Sequence, residues 1–90
     1  TMKYPGLIDD ARAELDALDE MQRVILCCMY ETSDRATLAR LIADDTEEAI
    51  DGELVSRGKR GREAVAQLIE VHLQIHIDTI EGNYWEGVTP

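Results

Sequence analysis

The chain holds two histidines, His72 and His76, four residues apart in its last long apolar segment. On a helix, residues at this spacing lie one turn apart on the same face, and two imidazoles placed in this way suit a zinc site. A third ligand could come from Asp10, Glu14 or Cys28. No Glu-x-x-His motif accompanies the pair. The sequence therefore favours histidines that are hydrogen-bonded in the core or at an interface, with metal binding or a pH-sensitive contact as alternatives.

Two adjacent cysteines, Cys27 and Cys28, are the residues with nucleophilic or redox potential. A reactive thiolate needs a helix N-terminus or neighbouring cations, whereas these two lie late in a predicted helix and precede Glu31. We expect Cys28 to pack in the core, Cys27 to lie nearer its boundary, and both to be reduced thiols. We found no motif for catalysis or for a cofactor, so we predict a protein that is not an enzyme and holds no cofactor.

A glycine-punctuated loop over 56–62 carries four of the nine basic residues of the chain. These cations are Arg57, Lys59, Arg60 and Arg62. Backbone amides at the start of the following helix would add to them in binding a phosphate. The spacing lacks the Gly-Lys-Ser/Thr ending of a P-loop. The favoured interpretation is a solvated turn that offsets the acidic residues before it, and phosphate binding is the alternative.

Acidic residues outnumber basic ones by 19 to 9, which gives a formal net charge of -10. Six of the carboxylates fall within ten residues: Asp44, Asp45, Glu47, Glu48, Asp51 and Glu53. So much negative charge makes free duplex DNA an unfavourable partner. The acidity fits either solubility, including adaptation to high salt, or binding to a basic surface. As the leading functional hypothesis, these six side chains bind a basic protein partner, such as a nucleic-acid-handling one, in a regulatory or inhibitory role of the DNA-mimic or phage-inhibitor type.

Apolar residues recur at helical spacing along the whole chain, and hydrophobic residues make up 44% of it although Phe is absent. The pattern predicts an all-α fold of about four helices, two long and two short, in one domain over 1–90 with tails at 1–6 and 83–90. The first segment, 7–30, is either one long helix or two joined near 16–19. A short helix follows over 36–43, with an N-cap supplied by Thr32, Ser33 and Asp34. The stretch 44–48 is a turn that leads into the start of a second short helix over 46–57, with Asp45 and Glu48 spaced as in a capping box. In that helix Leu54 is predicted to point inward, and Gly58 ends it.

The last predicted helix covers 63–81 and ends at Gly82. Its apolar residues span about 240° of the helical wheel, so we expect it to be buried on most sides. Three small neighbours would not cover so wide an apolar arc. We therefore expect that an uncovered remainder would make the protein a homodimer.

The order of the middle elements resembles a helix-turn-helix followed by the turn of a wing. This resemblance covers about 35 residues up to Gly58 and the basic loop. The second of the two short helices would then be the recognition helix, and its carboxylates disfavour direct DNA reading. The resemblance implies a DNA-associated regulator that contacts phosphates through the loop at Arg57–Arg62, as an alternative to the acidic interaction protein.

The location in the cell is predicted from the first residues and the apolar runs. The longest uninterrupted apolar run, Val24–Met29, is far shorter than the roughly 20 residues that a membrane span requires. The first six residues show no apolar signal segment. Together with the unpaired cysteines, these features predict a cytoplasmic protein.

Overall fold

The computed structural model describes the backbone of residues 6–88 and the side chains of residues 6–80. The described chain forms four helices in the order α1 (Leu7–Ala17), α2 (Glu20–Met29), α3 (Arg35–Asp51) and α4 (Arg62–Val88), and no strand. The predicted all-α class and the number of helices are confirmed. Two helices are long and two are short, but the long ones are the third and the fourth.

The break between α1 and α2 lies at Leu18 and Asp19, so the alternative of two helices over 7–30 is correct. Leu18 has an extended backbone, and Asp19 starts α2 with a capping box. The Asp19 carboxylate accepts from the Gln22 backbone N–H at 2.8 Å, while the Gln22 side chain accepts from the Asp19 N–H at 3.1 Å. The Arg23 guanidinium donates to the carbonyl oxygens of Leu15 and Leu18. These bonds supply partners for carbonyl groups at the C-terminus of α1, where the helix itself offers none.

This break changes which face of α2 is buried. Leu26 is fully buried, whereas Met21 and Cys28, which one continuous helix would place on the core stripe, are exposed. Cys27 is half-buried and packs against the core, so the expectation that Cys28 packs and Cys27 lies nearer the boundary is wrong. The reason is that α2 begins again at its own cap, with a helical phase that α1 does not set.

α3 is one helix where two were predicted. Asp34 caps it as expected, accepting from the Thr37 backbone N–H at 3.0 Å and from the Thr37 hydroxyl, and these bonds lower the pKa of the Asp34 carboxyl. The predicted turn at 44–48 and its capping box are wrong because those residues are helical. Thr46, in the middle of that stretch, is buried and satisfies its hydroxyl by donating to the Ile42 carbonyl at 2.7 Å.

The end of α3 lies at Gly52, six residues before the predicted stop at Gly58. Glu53 follows with a positive φ of 63°, and the Leu54 N–H donates back to the Ala49 carbonyl at 2.9 Å. The chain therefore leaves the helix early. Leu54, predicted to point inward, is 74% exposed, and its neighbour Val55 is fully buried in its place.

The last helix is longer than predicted, since α4 continues through Gly82 to Val88. The predicted tail at 83–90 is therefore wrong over 83–88, while 89–90 and 1–5 lie outside the described residues. From Ala64 to Ile69, α4 is buried in the core that it forms with α1, α2 and α3. The expectation of a helix buried on most sides is wrong for residues 70–80, where Val71, Ile75, Ile77 and Ile80 are exposed. Over the described residues, no helix combines the length and the apolar character that crossing a membrane requires.

Candidate functional site

Three polar side chains from three helices meet beside the core, and we call them the Tyr30 cluster: Tyr30 at the end of α2, Asp45 of α3 and His72 of α4. The Tyr30 hydroxyl lies 2.5 Å from Oδ2 of Asp45 and 2.9 Å from Nε2 of His72. Nε2 of His72 is itself 3.4 Å from the same Asp45 oxygen. The Tyr30 and His72 rings meet edge to face, with centroids 5.7 Å apart. One carboxylate oxygen thus ties together three helices.

The number of protons fixes the direction of these bonds. Tyr30 has one hydroxyl proton, and an ionised carboxylate only accepts, so this proton is donated to Asp45. The hydroxyl oxygen then accepts from His72, which requires a proton on Nε2. His72 in the cluster is therefore either the Nε2–H tautomer or the imidazolium, and in both forms Nε2 is engaged within the protein.

The environment of Tyr30 keeps its hydroxyl neutral. Burial raises the pKa of Tyr30 far above its ordinary value of 10.0, and the hydrogen bond to Asp45 and the charge of Asp45 raise it further. The cluster is not sealed from solvent, since the Asp45 side chain is 41% exposed and that of His72 is 21% exposed. A neutral phenol in a half-buried network orients its neighbours and does not act as a nucleophile at neutral pH.

For the alternative of a metal site at His72 and His76, the described fold brings the Asp45 carboxylate beside His72 but assembles no complete set of ligands. Among the described residues, no group of three or more His, Cys, Asp or Glu side chains is arranged to hold a metal ion. Glu14 is paired at 2.9 Å with Arg62, which precedes His72 by ten residues, or about 15 Å along α4. Asp10 lies beside Gly61, at the same end of α4. Two of the three suggested ligands therefore lie far from the histidines.

The six clustered carboxylates differ in what they contact. Asp45 belongs to the Tyr30 cluster, and Glu53 pairs with Arg57 at 2.8 Å. Asp44 and Glu48 are both exposed, one helical turn apart on α3, and within the described part of the chain neither side chain forms an ion pair or a hydrogen bond. The remaining two, Glu47 and Asp51, have interactions of their own.

The basic loop is partly neutralised within the protein. Arg57 pairs with Glu53 and Arg62 with Glu14, while Lys59 and Arg60 are exposed and Arg60 also has an interaction of its own. A carboxylate of α1 approaches the start of α4 so closely that its oxygen would lie 2.9 Å from a side chain at Gly61. A phosphate bound there would have to compete with this intramolecular anion.

The helix-turn-helix resemblance depended on a turn that the fold does not contain, because 44–48 lie inside α3. The chain was compared with protein-family models, with curated proteins and with solved structures, and none of them matches it.

Tyr30 is the residue of this site that the sequence did not reveal. It is 15 residues from Asp45 and 42 from His72. A tyrosine at the end of a predicted helix carries no signal for such distant partners.

Proposed function

We propose that this protein is a small acidic interaction protein, which binds a positively charged protein partner through exposed carboxylates on the second half of α3. Binding there would cover the basic surface of the partner and so regulate or inhibit it. Proteins that handle nucleic acids are the partner class with such surfaces, because phosphate neutralisation requires clustered Lys and Arg.

The proposal rests mainly on the position of the carboxylates near the C-terminus of α3, where acidic side chains destabilise a helix. The C-terminus of a helix carries partial negative charge, which favours Lys, Arg or His in the last turn. The last turn of α3 has no basic residue and instead contains Glu48 and Asp51. Asp44 and Glu48 also stand at i and i+4, where like charges repel. Residues that destabilise the helix in which they lie are typical of binding sites, where function is retained at a cost in stability.

The geometry around α3 supports an electrostatic contact with a protein surface. Asp44 and Glu48 point from the same face of the helix and are free of ion pairs within the described residues. Exposed carboxylates of this kind direct association and add modest affinity, and both effects weaken as salt screens them. The partner would therefore be recognised by its charge.

The proposal is tested by affinity capture with three baits on an extract of the source cells. The first bait is the wild type, and the second is D44N/E48Q, which we call the α3 variant. The third bait is D9N/E63Q, which we call the control variant; it removes the same number of charges from exposed positions on α1 and α4. Captured proteins are identified by mass spectrometry at 0.1 M and 0.5 M salt, and the affinity of the best-enriched one is then measured by calorimetry.

We expect a basic protein that the wild type and the control variant retain and the α3 variant loses, with release at the higher salt. The dissociation constant of the α3 variant should be about tenfold larger, since two contacts of about 0.7 kcal/mol each are lost. If both variants lost binding equally, net charge alone would explain the capture. If neither lost it, α3 would not be the binding surface.

A further inference from the structure

We infer that a groove between α3 and α4 binds one arginine side chain of the basic partner. This inference rests on the proposed function for the existence of such a partner, and it adds the place where one of the partner's side chains inserts. The groove has a volume of about 360 Å³ and is open to solvent. It is lined by two carboxylates, three apolar side chains and one imidazole: Asp45, Glu48, Ala49, Leu54, Leu68 and His72.

The negative charge of the groove comes from α3. Asp45 and Glu48 are three residues apart, so they lie on one face of the helix with their Cβ atoms about 5–6 Å apart. Tyr30 and His72 both contact Oδ2 of Asp45, which leaves Oδ1 as the oxygen that a ligand can reach. Among the described residues, no Lys or Arg lines the groove. A cation placed there would therefore meet two carboxylates without competing with a basic side chain of this protein.

The remaining lining of the groove offers apolar contact. Ala49 and Leu68 are almost fully buried, whereas Leu54 is 74% exposed. The turn after α3 fixes this leucine beside the helix, because its backbone N–H donates to the Ala49 carbonyl at 2.9 Å. An exposed leucine next to two carboxylates leaves apolar surface that the methylene groups of a long cationic side chain would cover.

Arginine fits this combination of charge and apolar surface better than lysine does. Its guanidinium has five N–H donors in a planar fork, so one group can reach two carboxylates at once. It is also less strongly hydrated than an ammonium group and so loses less hydration on entering a half-buried site. The groove lies beside the last turn of α3, whose partial negative charge favours any cation.

Titration with a peptide that contains one arginine tests the groove on the full chain. The ¹H–¹⁵N NMR spectrum of the protein is followed at pH 7.5 and 0.1 M salt while Ac-Gly-Arg-Gly-NH2 is added. Peptides with lysine or norleucine in the middle position serve for comparison. We expect saturable shifts at the residues that line the groove, with a dissociation constant on the order of millimolar for a single side chain. The lysine peptide should bind about threefold more weakly, and the uncharged norleucine peptide should cause no saturable shift.

Three single variants separate the groove from the net charge of the chain. Leu54→Ala removes apolar surface and no charge, and it should weaken binding of the arginine peptide about threefold. Glu48→Gln removes one carboxylate of the groove and should weaken binding by at least about threefold. Glu70→Gln is the matched control, because it removes the same charge from the side of α4 opposite Leu68 and His72; it should change the affinity less than about 1.5-fold. All three positions are exposed, and circular dichroism confirms that the variants keep their helices.

Three results would overturn the inference. They are an arginine peptide that causes no saturable shift in the groove, equal binding of the arginine and lysine peptides, and a Leu54→Ala variant that binds the arginine peptide as the wild type does. The third result, together with weaker binding by Glu48→Gln, would mean that charge alone attracts the peptide to α3.

The inference and the proposed function can fail separately. A basic partner that the α3 variant loses but Leu54→Ala retains with full affinity would support the proposed function and contradict the groove as the point of insertion. A groove that binds the arginine peptide as expected, in a protein that captures no partner from the extract, would support the arginine site and contradict the proposed function.

Discussion

Substituting Tyr30 by phenylalanine should destabilise the protein through loss of a single hydroxyl group. The hydroxyl donates to an ionised carboxylate at 2.5 Å and accepts from Nε2 of His72 at 2.9 Å. A hydrogen bond to a charged group contributes about 1.5–3 kcal/mol net, and the partial exposure of Asp45 lowers this because water can replace the lost donor. We expect Tyr30→Phe to cost about 1–2 kcal/mol, or roughly 5–15 °C in Tm for a domain of this size.

A double-mutant cycle assigns this loss to the contact itself. Urea unfolding at pH 7.5 is followed by circular dichroism for the wild type, Tyr30→Phe, Asp45→Ala and the double variant. The coupling energy between the two positions should be about 1 kcal/mol or more, because each single substitution removes the same bond. A coupling below about 0.3 kcal/mol, or a Tyr30→Phe variant as stable as the wild type, would refute the cluster as described.

The pH dependence gives an independent test of the same bond. The pKa of Tyr30 is raised in the folded protein above its unfolded value of 10.0, so the stabilisation is complete below pH 10 and is lost as the pH rises above it. Between pH 8 and 11 the advantage of the wild type over Tyr30→Phe should shrink by about 1 kcal/mol, a value discounted for the solvent that reaches the half-buried ring. Phenolate absorbance at 295 nm should show one of the three tyrosines ionising only as the protein unfolds.

Three further predictions concern single residues elsewhere in the fold. Gly61→Ala should lower the free energy of unfolding by about 1–2 kcal/mol, because φ is +59° and a carboxylate oxygen lies 2.9 Å from the new Cβ; Gly58→Ala, which has 4.0 Å of room, should be nearly neutral in the same urea titration. Cys28 should be alkylated faster than Cys27, as peptide mass spectrometry after a short iodoacetamide pulse would show, because Cys28 is exposed and Cys27 packs against the core. Asp34→Ala should lower Tm at pH 7, and because the pKa of Asp34 is lowered on folding, the difference should narrow as the pH falls below the ordinary value of 3.8.

Local signals in the sequence predicted the helical class and some of its boundaries. The helical spacing of the apolar residues gave the all-α fold, and Asp34 before a helical run gave the cap of α3. These features depend on residues within one or two turns of each other. They are therefore visible without knowledge of the tertiary structure.

The errors arose where distant contacts decide the structure. Asp45 and Thr46 look like a helix start, but Asp45 is held by Tyr30 of another helix, and Thr46 is buried where its hydroxyl bonds within α3. Burial over this stretch keeps the helix continuous against its local turn signal. Similarly, the apolar arc of α4 shows which of its residues favour burial. How far along α4 this burial extends depends on how far α2 and α3 pack against the helix, which the sequence of α4 does not show.

The claim that the carboxylates of α3 serve binding and not folding is tested most directly by the melting temperatures of the α3 variant and the control variant at low salt. We predict that D44N/E48Q melts about 2–6 °C above the wild type, since it relieves about 0.5–1 kcal/mol of repulsion between like charges and with the C-terminus of α3. D9N/E63Q should melt below the wild type, since it removes acidic residues from the first turns of α1 and α4, where they are favourable. An α3 variant that melts below the wild type would contradict the claim, because those carboxylates would then stabilise the fold. An equal rise in both variants would also contradict it, by attributing the effect to net charge.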